Sequence, residues 1–346
     1  MNNILDYSLE ELKKEFVNLN LKAFRAEQVL YALYDGKNLE NVSNISKADK
    51  QVVFDNFLVF KESVVKEQNS KDGTIKYAIK LFDGNIIETV VMRYIYGNTI
   101  CVSTQVGCAM GCKFCASSLG GKVRDLTAGE ILAQVIIANS RLGGSVKERQ
   151  ITNIVLMGCG EPLDNYDNVK KFINLISDAK FINISQRNIS LSTCGIVEKI
   201  YKLADDGFKV NLTISLHASN DEDRKKIMPI ARIYSIKDIL KASDYYFSKT
   251  GRRVYYEYTL VKDVNDKERN IKELALLLKG KVCHVNVINL NEVKERDLKK
   301  TTRKNAEQFV KSLTDLGVSA TLRRTLGDDI DGACGQLRKS IMEEVW

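Results

Sequence analysis

"TICVSTQVGCAMGCKFCASSLGG" (residues 99–121) joins a β-rich run to a glycine-containing loop with three closely spaced cysteines. "TICVST" has the branched residues of a strand, and an amphipathic stretch, "AGEILAQVIIANSRLG" (128–143), follows the loop. The same rhythm recurs downstream. "NIVLMG" (153–158) precedes "NVKKFINLISDAK", "NISLST" (188–193) precedes "IVEKIYKLADDG", and "VNLTISLH" (210–217) precedes "SIKDILKASDYYFSKTG". "RVYYEYTLV" (253–261) and "HVNVINL" (284–290) each lead into a further helical stretch, and "SATLRRTL" (319–326) is a last strand. Alternation of this kind implies parallel strands joined by helical crossovers. Six units are too few to close an eight-fold barrel, so the pattern predicts an α/β fold built on an open, partial (βα)6 barrel. In barrel-like folds the site lies at the carboxyl ends of the strands. The cysteine loop falls at such an end.

The flanking segments have another character. "SLEELKKEFVNLN" and "KAFRAEQVLYALYDG" carry apolar residues at helical spacing, with Ser8 as a cap and Gly36 as a stop. "IKYAIKLFDGNIIETVVMRYI" places a "DG" turn between two alternating runs. The expected organisation is a helical domain over 1–53, a β-hairpin connector over 54–93, the partial barrel over 94–327 and a carboxyl-terminal segment over 328–346.

Composition narrows the class of protein. The 346 residues are 44% hydrophobic and 28% charged, as in a globular protein with a sizeable core. No apolar run approaches the ~18 residues of a membrane span, and the amino end has no signal-peptide pattern. A cytoplasmic location without membrane attachment is expected, where the eight cysteines serve as thiols, ligands or transient redox partners. Lys and Arg number 52 against 44 acids, a modest hint of a polyanionic partner. The basic run "VKERDLKKTTRK" (293–304) reads first as solvated surface.

Cys108, Cys112 and Cys115 are spaced C-x3-C-x2-C. Three thiolates in such a loop can hold a cubane iron–sulfur cluster with one iron left open, as open catalytic metal sites reserve a position. A zinc knuckle or a fully ligated ferredoxin cluster is weaker, because no fourth cysteine or histidine is nearby in sequence. The spacing, with Phe114 before the last cysteine, resembles the radical S-adenosylmethionine (SAM) superfamily, whose fold is the six-unit partial barrel. "MGCGEPLDN" (157–165), "STCG" (192–195), "SLHAS" (215–219), "GRRVYYEYTLVKDVND", "CHVNVINLN" and "GDDIDGACGQLR" follow in order. Together they resemble the RlmN family of RNA adenine-C2 methyltransferases over essentially the whole chain, including a helix-hairpin-helix-like amino-terminal domain.

That resemblance implies one 4Fe-4S cluster on Cys108, Cys112 and Cys115, with SAM held by Gly160, Glu161, Ser192, Ser215, Leu216, His217 and Asn291. It further implies a methyl-accepting Cys334, a resolving thiol at Cys101 that forms a transient disulfide with Cys334, and Glu88 in "NIIETVV" as proton acceptor. Two SAM molecules are used per turnover: one methylates the Cys334 sulfur, the other yields the radical that activates that methyl. A thiolate suits the first task as the most nucleophilic side chain near neutral pH. Implied targets are an adenine of the 23S rRNA peptidyl-transferase centre and the tRNA adenosine 3′ of the anticodon, with flavodoxin or ferredoxin as electron donor and a monomeric enzyme. Gly332 and Gly335 are expected to give Cys334 mobility, and Arg323, Arg324, Arg338 and Lys339 to hold phosphates. Asn289 and Glu292 stand where the family often has proline, and Cys159 is an additional thiol. Two other readings remain: a Cfr-like adenine-C8 methyltransferase, and a non-catalytic iron–sulfur or zinc RNA-binding protein.

Overall fold

The computed structural model describes residues 1–59 and 63–337. Three helices come first: α1 (Leu9–Asn18), α2 (Phe24–Tyr34) and α3 (Lys47–Asn56). Ser8 caps α1 in a reciprocal box with Glu11, satisfying amides that otherwise lack partners at a helix start. Leu9, Leu12 and Phe16 are the buried stripe of α1. Asp6 accepts a hydrogen bond from the Gly129 amide at 2.6 Å and so joins this layer to the barrel.

Ten strands form one sheet: β1 (Val64–Asn69), β2 (Ile75–Lys80), β3 (Ile86–Tyr94), β4 (Gly97–Cys101), β5 (Ile151–Leu156), β6 (Ile189–Thr193), β7 (Asn211–Ser215), β8 (Val254–Leu260), β9 (Cys283–Asn289) and β10 (Ala320–Leu322). Their spatial order follows the chain. Pairings from β4 to β10 are parallel, and those from β1 to β4 are antiparallel. Helices α4 (Ala128–Arg141), α5 (Tyr166–Ile176), α6 (Val197–Asp205), α7 (Asp221–Ile227), α8 (Ile236–Thr250), α9 (Glu268–Leu278) and α10 (Arg303–Asp315) make the crossovers. The expected alternation is present, with a short α7 in addition. Residues from β6 to β9, with Met157 just after β5 and Arg323 just after β10, line one polar cavity, so the sheet is curled into a partial barrel.

The sheet does not stop at the barrel. Val90 on β3 pairs with Cys101 on β4, so the hairpin region continues the barrel sheet as three further strands. Asp83 and Gly84 make the turn between β2 and β3, with Gly84 at φ 85°. No helix among the described residues is long and apolar enough to cross a membrane.

Candidate active site at the carboxyl ends of the strands

The loop after β4 carries Cys108, Cys112 and Cys115 into a cleft of about 910 Å³, its open mouth included. Gly160, Glu161, Ser192, Ser215, His217, Asn291 and Cys334 also line it. Of the residues expected to hold SAM, Leu216 alone does not. Its side chain is fully buried in the core, and its backbone amide donates to the Glu257 carbonyl.

Glu161 is the hub of the turn after β5. Its carboxylate accepts from the Leu163 amide at 3.0 Å and from the Cys194 amide at 2.7 Å, locking that turn to the end of β6. Burial raises its pKa, against the pull of those amides. A ligand ammonium in the cleft would supply the missing counter-charge. Close approach of backbone shapes the same turn: a Cβ on Gly158 would lie 2.7 Å from the Val102 carbonyl carbon.

His217 has a left-handed backbone (φ 56°) and a buried ring against the edge of Phe114, centroids 4.7 Å apart. Its Nδ1 accepts from the Thr259 amide at 3.0 Å, which leaves the proton on Nε2. Burial, then the Arg224 charge, lowers its pKa to about 3, so the imidazole is neutral. Sequence reading overlooked Arg224. Its fully buried guanidinium donates to the carbonyls of Cys194 (2.6 Å), Leu216 (3.1 Å) and Ser215 (3.3 Å), cross-linking the ends of β6 and β7. An arginine in the charged run "DEDRKK" gives no local signal of that role.

The three cysteines fit a cluster. Burial pushes the Cys108 thiol up to about 12 and Cys112 further, so these thiols need a cation to ionise. No three His, Cys, Asp or Glu side chains among the described residues converge tightly enough for a single metal ion. Cys108, Cys112 and Cys115 all line the one cleft, and a 4Fe-4S cluster would be held by thiolates spread around a body larger than one ion.

Cys334 lines the cleft and also a second cavity of about 630 Å³, which holds Cys101, Val90, Met157, Arg323 and Leu337. The residue is solvent-accessible and stands between the two cavities. Burial raises that thiol to about 11 against the opposing charge of Arg323. Burial, then the Cys334 charge, raises Cys101 to about 12. Both are free thiols. Cys101 packs with Val90 and Leu337 in a small apolar cluster.

The Cys334 segment is docked on both sides, where mobility was expected. Asp72 accepts from the Gly327 amide at 2.8 Å, and Asp329 accepts from the Ser70 hydroxyl (2.5 Å) and the Lys71 amide (3.2 Å). Beyond Cys334, the Ala116 amide donates to the Gly335 carbonyl at 2.7 Å, and Ser117 donates to the Leu337 carbonyl at 2.8 Å. Gly335, at φ 84°, is required for this turn. Asn291 donates to the Cys334 carbonyl at 3.0 Å, so it holds the loop as well as lining the cleft.

Other expected residues fall elsewhere. Glu88 is buried on β3, outside the cleft lining. Arg323 turns inward to Glu257 at 3.3 Å, which takes it away from a phosphate-holding surface. Arg324 is exposed, and Arg338 and Lys339 lie outside the described residues.

A three-thiol loop at the carboxyl mouth of a partial (βα)6 barrel defines a radical SAM protein, and the family model described as the radical SAM superfamily matches residues 102–275. Membership implies a 4Fe-4S cluster and SAM. A Clostridium perfringens protein named "Probable dual-specificity RNA methyltransferase RlmN" is 54% identical over 346 residues, 99% of this chain and 98% of that one. Its namesake in Clostridium botulinum strain Hall is 50% identical over 347 residues, 99% of this chain and all of that one. The crystal structure of a radical SAM methyltransferase from Sphaerobacter thermophilus superposes with a TM-score of 0.94 at 37% identity, over 98% of this chain and 100% of that one. The chain belongs to the RlmN family.

Proposed function

We propose that this chain methylates carbon 2 of adenine in RNA by way of an S-methyl group on Cys334. The targets would be the 23S rRNA adenine of the peptidyl-transferase centre and the tRNA adenosine 3′ of the anticodon. The observation that carries this reading is that Cys334 lines both the three-cysteine cleft and the cavity of Cys101. A thiol in that position can be charged from one side and discharged from the other.

Cys108, Cys112 and Cys115 would hold the cluster, and Gly160, Glu161, Ser192, Ser215, His217 and Asn291 the SAM. Leu216 would contribute only through its backbone. The bound cluster and SAM supply methyl and radical chemistry. Neutral His217 can donate from Nε2 without adding charge beside a sulfonium. Glu88 would take the C2 proton, and the Cys101 thiolate would attack the Cys334 sulfur to free the product, leaving a transient disulfide. A small electron donor of the flavodoxin or ferredoxin kind would serve the cluster.

Peptide mass spectrometry of protein incubated with SAM should find S-methyl on Cys334, and Cys334→Ala should methylate no RNA. Normal C2 methylation by Cys334→Ala would refute the mechanism. Methyl found on C8 of the product base would select the Cfr-like reading, and purified protein with zinc and no iron the binding-protein reading.

A further inference from the structure

Beneath the Cys334 loop lies an ion pair that neither the cleft nor the cysteine chemistry explains. Lys76 on β2 and Glu88 on β3 are 4% and 2% exposed, and Lys76 Nζ stands 3.2 Å from Glu88 Oε1. The register explains the meeting. Lys76 is opposite Val90 and Ala78 opposite Glu88, so Lys76 and Glu88 are diagonal neighbours on one face. Val90 is in turn opposite Cys101, which puts the pair on the face that carries the resolving thiol. The same ammonium donates to the Asp331 carbonyl at 3.3 Å, three residues before Cys334.

Burying two charges is costly, and a buried pair is weak evidence for stability alone. A functional use accounts better for keeping it here. We infer that Lys76 is a positioning residue: its ammonium keeps Glu88 a carboxylate in a water-poor site and links it to the docked loop of Cys334. This rests on Glu88 as the proton acceptor. In that step the C2–H bond breaks, its electron pair stays with the ring, and the proton goes to a Glu88 carboxylate oxygen. A Glu88 that already carries a proton cannot take it. Among the described residues, the titratable groups facing Glu88 include Lys76 from β2 and Cys159 from the turn after β5, whose thiol feels the Glu88 charge.

The experiment uses full-length, cluster-loaded enzyme with SAM and RNA, and three variants. Lys76→Met removes the charge, Lys76→Gln keeps a donor for Asp331 without the charge, and Lys76→Arg keeps the charge. Read-outs are S-methyl on Cys334, RNA-linked protein on denaturing gels, and the pH profile of product release. Lys76→Gln and Lys76→Met should still carry S-methyl-Cys334 and accumulate RNA-linked protein, with release at least tenfold slower at neutral pH. Their release should recover as pH rises, because loss of the counter-charge raises the pKa of a buried carboxylate and the ionised fraction then grows with pH. Lys76→Arg should retain most of the release rate. Parental rate and pH profile in Lys76→Gln would overturn the inference, as would a pH-independent loss of S-methylation and release together, the mark of a purely structural anchor. If Lys76→Met does not fold, the Gln and Arg pair decides alone. Glu88→Gln separates the two readings: normal release would sink Glu88 as base, whereas trapped RNA there and none in the Lys76 variants would sink Lys76 only.

Discussion

Replacing Glu161 by glutamine should separate cofactor binding from folding. In the parent, each carboxylate oxygen takes one buried backbone amide, from Leu163 and from Cys194. Glutamine keeps one acceptor and turns an NH2 toward the other amide, leaving a buried donor without a partner. That costs about 1–3 kcal/mol. The same change relieves the desolvation that raises the Glu161 pKa, so the two effects oppose each other. The net loss of stability should be ~1 kcal/mol, a fall in Tm of about 2–4 °C. SAM suffers more, because a hydrogen bond between its ammonium and a carboxylate is worth about 1.5–3 kcal/mol. The expected loss of affinity is about 10- to 150-fold, at 1.4 kcal/mol per factor of ten. Isothermal titration of SAM into anaerobic, cluster-loaded Glu161→Gln, beside its melting curve, reads both quantities. Affinity within threefold of the parent would refute the assignment of Glu161 to the ammonium. A melting loss of more than about 10 °C would refute the claim that the two oppositely signed effects nearly cancel.

Cys101→Ala should keep S-methylation of Cys334 and accumulate RNA-linked protein, since the thiol proposed to free the product is gone; denaturing gels and peptide mass spectrometry check this. Asp72→Ala should loosen the Cys334 segment, seen as faster hydrogen exchange at Gly327. Burial raises the Asp72 carboxyl, but the Gly327 amide with Thr74 and Ser70 outweighs it and holds the pKa at about 2. Because the folded value lies below the unfolded one, this contribution is present above about pH 4 and lost as pH falls through about 2. The parent's melting point should therefore drop between pH 4.5 and about 2 by more than that of Asp72→Ala.

Cys108, Cys112 and Cys115 announced themselves by spacing, and the six βα units by period, because ligands within one loop and faces of one element are local properties. Roles that depend on two distant segments were harder to read. Leu216 stands between two cleft-lining residues, yet strand alternation sends its side chain into the core. Arg323 looked like a surface phosphate binder until β10 turned it toward Glu257. Gly335 looked like a source of mobility, and the fold uses it for a fixed left-handed turn.

The sequence by itself determined the layering, the direction of the strands and the loop of three thiols, since side-chain period and ligand spacing are written along the chain. Tertiary structure alone decided that β1 to β3 continue the barrel sheet, that the turn at Ser70–Asp72 grips the segment before Cys334, and that Lys76 meets both Glu88 and Asp331. The physical reason is register. Which residues face each other across paired strands, and which loop settles on them, follows from how the whole sheet is assembled.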